Sequence, residues 1–392
     1  MKTLATLGLS ILTIGVFAQC NPLSGEYKID KNGGDYTSLT SAVEALKCGG
    51  VSGPVVFLLA SDKYTDRVEL SDIKGASFIN TVSFESLSGS NGDVTISASS
   101  PDQTYTVGIN GASNVSFSNL TLENKLGLTG NVVRLDGNAE NVKFKNVVLD
   151  GSEKQTTGAN SAVIYATSNG SKAGLSIEDC ELNNGSIGIY KGSTSKADSR
   201  TFITGTLFFN QYESGISLTN ESAPILSSNV VSSVSTYKGY KAISLDKITD
   251  NLIVSNNVVN AVNGSYGLAM NNCEGKVENY GNITNNSLNV GGQSTMYGLY
   301  ITGSTDNQVF NFNRVKLTPT SKNSANQGYF LNTGSGKNIN LMNNIFFDLT
   351  TGGYTILGNT YKDFFNQLPS QSNPSLSVSA NGIMIEKVMP AN

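Results

Sequence analysis

One six-residue pattern returns along most of the chain, and it constrains the fold more than any other feature. It reads apolar, any, Asn or Asp, any, any, apolar. It stands as Phe117-Ser118-Asn119-Leu120-Thr121-Leu122, as Phe144-Lys145-Asn146-Val147-Val148-Leu149 and as Ile177-Glu178-Asp179-Cys180-Glu181-Leu182. Degenerate copies begin at Ile203 and Leu226; clearer ones begin at Val254, Ile283 and Leu341. Residues 310–315 fit with Phe312 in the Asn slot. Six of these nine copies carry Asn or Asp at the third position. Such a preference points to a backbone requirement, because Asn and Asp visit the left-handed region that most residues avoid.

A second pattern falls between most successive copies: a small residue, then apolar, any, apolar. Examples are Gly215-Ile216-Ser217-Leu218, Ala242-Ile243-Ser244-Leu245, Gly267-Leu268-Ala269-Met270 and Gly298-Leu299-Tyr300-Ile301. Val133-Arg134-Leu135, Ile187-Gly188-Ile189 and Tyr329-Phe330-Leu331 hold the same slot. The period runs from 23 to 33 residues. Each repeat therefore holds two or three very short strands with period-two alternation. No amphipathic helix fits between them, which excludes βαβ units and leucine-rich repeats. A meandering sandwich would not reuse one motif in one register, whereas a solenoid stacks each coil on its own copy at about 4.8 Å. Stacked Asn side chains then hydrogen-bond from coil to coil.

The expected fold is all-β: a single-stranded right-handed parallel β-helix over residues 54–360, with about ten or eleven coils and helices only at the caps. Phe117, Phe144, Ile177, Val254, Ile283 and Leu341 are expected in one buried stack. Asn119, Asn146, Asp179, Asn256, Asn285 and Asn343 are expected at one corner. Residues 19–53 form an N-terminal cap, where Leu39, Ala42, Val43 and Leu46 give a short helix beginning near Ser38 one apolar face. That face covers strand edges that would otherwise recruit other chains. Residues 361–392 form a C-terminal cap or tail, with Tyr361, Phe364, Phe365 and Leu368 as its apolar cluster.

These repeats resemble those of the right-handed β-helices in the pectate lyase-like superfamily. The beginning resembles large secreted bacterial surface proteins, in which a segment like Leu23 to Asp30 precedes a Gly-Gly-Asp-Tyr turn and a short helix. Here the turn is Gly33-Gly34-Asp35-Tyr36. The resemblance covers nearly the whole mature chain. It implies the fold rather than an activity, because the superfamily holds lyases, hydrolases, adhesins and inert scaffolds.

Residues 1–18 read as a signal peptide: Lys2, an apolar run from Leu4 to Phe17, and a small-residue cleavage site at Val16-Phe17-Ala18. The run is short for a transmembrane anchor, and no later segment is apolar enough to span a bilayer. Cys20 invites a lipoprotein reading, but Gln19 stands where a lipobox has a small residue. The expected location is secreted or cell-surface. Export permits a disulfide between Cys20 and Cys48, which would stabilise the cap by ~3 kcal/mol. Cys180 and Cys273 lie several repeats apart and read as unpaired.

Catalytic chemistry is hard to find. The chain has no His, so the Gly-His-Gly motif of polygalacturonases is absent and no Ser or Thr has an imidazole to activate it. The carboxylate pairs Asp246 with Asp250 and Asp348 with Asp363 read as turn residues rather than as the two carboxylates of a glycosidase. The lyases these repeats resemble use an Arg or Lys base, often with Ca²⁺ neutralising the substrate carboxylate. Among Arg67, Arg134, Arg200 and Arg314, Arg134 is best placed, but beside Asp136 it reads as a surface ion pair. No catalytic residue and no metal site is assigned, and Ca²⁺ is expected only if the chain is a lyase. Charged residues are 14% and the net charge is −4, which argues against nucleic acid and anionic membranes as partners. The function expected is a non-catalytic secreted or surface protein, structural, adhesin-like or glycan-binding; the alternative is a polysaccharide lyase or other carbohydrate-active enzyme.

One face stands out as a binding surface. The middle residues of the second pattern point outward, and the column reads Arg134, Ile164, Gly188, Ser217, Ser244, Ala269, Tyr300, Phe330 and Thr355. Tyr300 and Phe330 on adjacent coils, with Tyr297 nearby, offer rings on which sugars stack. The competing expectation is that the loop from Thr318 to Gln327 folds over them.

Overall fold

The computed structural model describes residues 20–392 apart from 128, 169–173, 194–200, 293–294, 321–326, 333–338, 343, 349–353, 358–383 and 387–392; beyond residue 320 it describes the side chains of Ile339 and Asn344 alone. The expected signal peptide, Asn343, and the cluster from Tyr361 to Leu368 lie outside the described residues.

The chain coils as a parallel β-helix with three sheets, visited in the same order from Val51–Leu59 to Tyr354–Leu357. Among the described residues the sheets hold 12, 12 and 11 strands. Sheet 1 begins with Leu23–Ile29, Val51–Leu59 and Val82–Ser86; sheet 2 begins with Asp62–Tyr64 and Val94–Ser97; sheet 3 begins with Val68–Ser71 and Tyr105–Asn110. Neighbouring strands pair in parallel, coil on coil. A single 3-10 turn, Ala159–Ser161, interrupts the connections and leaves the strands around it in register.

The expected stack is in place. Phe57, Phe84, Phe117, Phe144, Ile177, Ile203, Leu226, Val254, Ile283 and Phe310 follow one another in sheet 1, all buried. Leu341 pairs with Phe310 by backbone register. The first four rings lie face to face, with centroids 5.0, 5.1 and 5.4 Å apart, so aromatic contact is added to burial.

From Val115–Ser118 to Gln308–Asn311, the corner after each sheet 1 strand takes a positive φ. Asn119, Asn146, Asp179, Asn256 and Asn285 supply it, with φ of 54°, 52°, 53°, 57° and 55°. Ser228 and Phe312 adopt the same conformation in the degenerate copies, at 58° and 55°, where no carboxamide eases the strain. Side-chain bonds join some of these residues directly, as Asn146 Nδ2 to Asn119 Oδ1 at 2.8 Å.

The continuous ladder runs one residue further on, in a slot that the repeat pattern leaves unspecified. Leu120, Val147, Cys180 and Thr206 occupy it first, then Asn229, Asn257, Asn286, Asn313 and Asn344, all buried. Each amide donates Nδ2–H to the oxygen of the next, at 2.9, 2.9, 2.8 and 2.9 Å. That same oxygen also accepts the preceding corner's backbone N–H, and the second amide hydrogen meets a backbone carbonyl. Every polar atom pulled from water at this corner thereby finds a partner.

The N-terminal cap follows its sequence. Helix α1, Leu39–Gly49, starts at Ser38, whose Oγ accepts from the Ser41 N–H at 3.1 Å while Ser41 Oγ accepts from the Ser38 N–H at 3.3 Å. Leu39, Ala42, Val43 and Leu46 are buried over the first turn of the solenoid. Cys20 and Cys48 form a disulfide that ties the chain entering Leu23–Ile29 to the end of α1. The strand Leu23–Ile29 itself joins sheet 1, so the cap continues the solenoid. At the other end, Met384–Glu386 adds a strand to sheet 2 beside Ile345–Asp348. Cys180 and Cys273 are free and buried, and burial pushes both thiols up to about 12. No helix among the described residues is long and apolar enough to cross a membrane.

Candidate functional site

The outer face of sheet 3 carries the candidate site, and its register corrects the expected column. In space the column runs Glu69, Gly108, Arg134, Tyr165, Tyr190, Ser217, Ser244, Ala269, Tyr300, Phe330 and Thr355. Ile164 and Gly188 do not belong to it: Ile164 pairs with Val133 and Ile189 and is wholly buried. At Gly188 the cause is a charged residue in the core. Lys191 takes the inward position that Leu218 holds in the next coil. Its Nζ lies 2.6 Å from both carboxylate oxygens of Glu221, which also accepts from Thr201 Oγ1 at 2.7 Å. Burial lowers the Lys191 pKa, and the Glu221 charge opposes that. With Lys191 pointing in, Tyr190 points out.

Tyr297 and Tyr300 come together with Tyr266, which the sequence reading missed. Tyr266 and Tyr297 begin paired strands and stack at 5.3 Å, 14° from parallel. Tyr300 packs against both, 4.8 Å from Tyr297 and, edge-on, 5.0 Å from Tyr266. All three rings are half-buried. Burial raises the pKa of Tyr266 and Tyr297, and the neighbouring tyrosines add to it, so these rings stay neutral hydroxyl donors. Phe330 is in backbone register with Tyr300 on the next coil; its side chain, and the loop residues 321–326, lie outside the described residues.

Beside this cluster lies a groove of about 460 Å³, lined by Tyr266 and Tyr300, by the floor residues Ser244 and Ala269, and by Lys241, Asp246, Asn271 and Thr302. Its two sides follow from strand position. Lys241 and Tyr266 stand at strand starts, and Lys241 Nζ sits 5.9 Å from the Tyr266 ring centroid. Asp246, Asn271 and Thr302 stand at strand ends, joined by bonds from Asn271 Nδ2 to Asp246 Oδ1 at 2.7 Å and from Thr302 Oγ1 to Asn271 Oδ1 at 3.0 Å. An apolar ring wall facing a hydrogen-bonding wall over a flat floor suits a ligand with apolar faces and polar edges.

The other candidates are engaged elsewhere. Arg134 Nε is 2.7 Å from Asp136, and its guanidinium covers the Tyr165 ring at 4.5 Å. Arg67 pairs with Glu69 at 2.8 Å and covers Tyr105 at 3.8 Å. Asp250 sits at a positive-φ corner, bonded to Ser222 and to Lys276 at 2.8 Å, and does not share the groove with Asp246. Asp363 lies outside the described residues. No group of three or more Cys, Asp or Glu placed to hold a metal occurs among the described residues.

No family model matches the chain, and no curated protein matches it. Solved structures of similar course include the Dettilon tailspike protein, at 15% identity and TM-score 0.49, over 88% of this chain. The chain spans 64% of that tailspike's length. A lacto-N-biosidase from Eubacterium ramulus matches at 10% identity and TM-score 0.47, over 86% of this chain and 67% of its own. A mannuronic acid specific polysaccharide family 6 lyase from human gut microbiota matches at 10% identity and TM-score 0.44, over 93% and 91%.

Proposed function

We propose that this chain is an exported, non-catalytic β-helix protein that binds glycans on the outer face of sheet 3, with Tyr266 and Tyr300 as the recognition wall and Tyr297 packed against them. The observation that carries the reading is the groove itself: half-buried tyrosine rings stand on one side, and Asp246, Asn271 and Thr302 on the other. A sugar ring offers both kinds of surface, an apolar face for the tyrosines and hydroxyls for the polar wall. Tyrosine suits this task because its ring loses little entropy on contact and keeps a hydroxyl to bond.

Binding without turnover is the better reading because the groove offers one ammonium, Lys241, and one carboxylate, Asp246, on opposite walls. Glycoside hydrolysis uses two carboxylates, and the arginines on this face are already tied to Glu69 and Asp136. A glycan array read with wild type and with Tyr266→Ala, Tyr300→Ala tests the site. Loss of the array signal in the double variant, with its melting transition preserved, is expected; equal binding by both proteins removes this face from consideration. An ultraviolet assay for unsaturated products on acidic polysaccharides, with and without Ca²⁺, tests the other half. Product formation abolished by Lys241→Ala would make the chain a lyase.

A further inference from the structure

A second aromatic group stands on the same outer column, four coils before Tyr300. Tyr165 and Tyr190 lie on adjacent strands with ring centroids 5.6 Å apart and planes 16° from parallel. Arg134 covers the far side of Tyr165, so the stack is closed toward the N-terminus. It is open toward the C-terminus, where the next column residues are Ser217, Ser244 and Ala269, all too short to cover a ring. Beyond them Tyr300 and its partners close the other end. Tyr190 and Tyr300 are four strand spacings apart, about 19 Å along the solenoid axis at ~4.8 Å per strand. One edge of this trough is polar from the Ser217 coil onward, because Thr219, Asp246, Asn271 and Thr302 are in register along it after Gly192.

The charges set the ligand class. Arg134 is compensated by Asp136. In the groove beside Tyr266 and Tyr300, Lys241 and Asp246 contribute one charge of each sign. A polyuronate would bring a carboxylate at every unit and meet one ammonium and one opposing carboxylate, whereas an uncharged chain meets only hydrogen-bonding partners.

We propose that the two aromatic groups are the ends of one continuous site for an unbranched, uncharged glycan lying along the solenoid axis, an inference that rests on the glycan-binding reading of the Tyr266 groove. A pyranose unit in an extended chain advances by about one strand spacing, so roughly four units fill the trough. Short oligosaccharides reach one end only; longer ones engage both, and the second contact is then intramolecular.

Calorimetric titration with unbranched gluco-, manno- and xylo-oligosaccharides of two, four and six units, and with oligogalacturonates of equal length, tests this. One neutral series should gain at least about tenfold in affinity between two and four units, and little beyond. Galacturonates should bind more weakly at each length. Tyr165→Ala with Tyr190→Ala should abolish the gain and leave two-unit binding at the Tyr266 groove intact, while Tyr190→Phe, which keeps the ring, should preserve the gain. Affinity independent of length, or a gain that survives the double alanine variant, overturns the two-ended site and leaves the Tyr266 groove standing. Tighter galacturonate binding overturns the uncharged class. Binding of no oligosaccharide by wild type overturns this inference together with the function on which it rests.

Discussion

Replacing Asn257 by Leu probes the corner ladder at its middle. The two side chains have the same number of heavy atoms, and a leucine, Leu120, already fills the same slot in an earlier coil, so the change chiefly removes hydrogen bonds. Asn257 Oδ1 accepts the Asn229 backbone N–H at 3.1 Å and an amide hydrogen of Asn229 at 2.9 Å. Its Nδ2 donates to the Leu226 carbonyl at 2.9 Å and to Asn286 Oδ1 at 2.9 Å. Leucine therefore leaves a buried N–H and a buried amide hydrogen, both of Asn229, without partners. Each costs about 1–3 kcal/mol, roughly 2–6 kcal/mol together. Burying leucine returns about 1.5–3 kcal/mol. Taken at the middle of both ranges, the expected net loss is about 2 kcal/mol, read as a lower urea midpoint at unchanged slope. Cys180→Val, in the same slot where no amide ladder exists, should stay within about 1 kcal/mol of wild type. An Asn257→Leu protein within about 1 kcal/mol of wild type, at unchanged slope, would show that the ladder bonds do not hold the coils.

Other perturbations separate the remaining forces. Phe117→Ala opens a cavity between Phe84 and Phe144 and should cost about 3–5 kcal/mol by the same urea measurement; a loss under 1 kcal/mol would mean the stack is loose. Lys191→Met alone strands the Glu221 carboxylate and should cost about 3–5 kcal/mol, whereas Lys191→Met with Glu221→Leu should recover most of it; equal losses in both would contradict a desolvation cause. Burial holds the Cys180 and Cys273 thiols at about 12, above the ordinary value of 9.0. Unfolded thiols release protons first, so their contribution is full below pH 9, falls as pH rises, and is lost near 12. Thermal melts from pH 8 upward should fall more shallowly for Cys180→Val than for wild type, by up to about 1.4 kcal/mol per pH unit; parallel curves would exclude the thiol as a cause.

The coil register is legible in the sequence because two independent signals coincide at each corner. An apolar residue two positions before an Asn or Asp marks both a core stack and a positive φ, as at Phe144 and Asn146. Which residue of a doublet such as Asn256-Asn257 carries the continuous ladder is not legible, because both are Asn and only the fold separates the exposed corner from the buried slot. The binding face is legible where the inward residues are large and apolar, as around Tyr300. It fails at Tyr165, whose inward follower is the small Ala166, and at Tyr190, whose follower is Lys191. An alternation rule reads a lysine as outward, and only the distant Glu221 and Thr201 make its burial tolerable. Tyr266 and Lys241 escape for another reason: they precede the small residue of the strand motif, outside the alternating segment, and take part in the groove through backbone pairing at strand starts.

The corner ladder also has a direction. Each amide oxygen takes its two hydrogens from the coil before it, never from the coil after. A turn that has closed around Asn229 still holds an unanswered N–H until the residue 28 positions later arrives, and Asn257 waits in the same way for a partner 29 positions on. For a chain delivered N-terminus first, no turn of this region is finished when its own residues are in place. Completion passes down the chain one step behind synthesis, and the unsatisfied group is always at the newest turn, where incoming sequence is the only thing that can silence it.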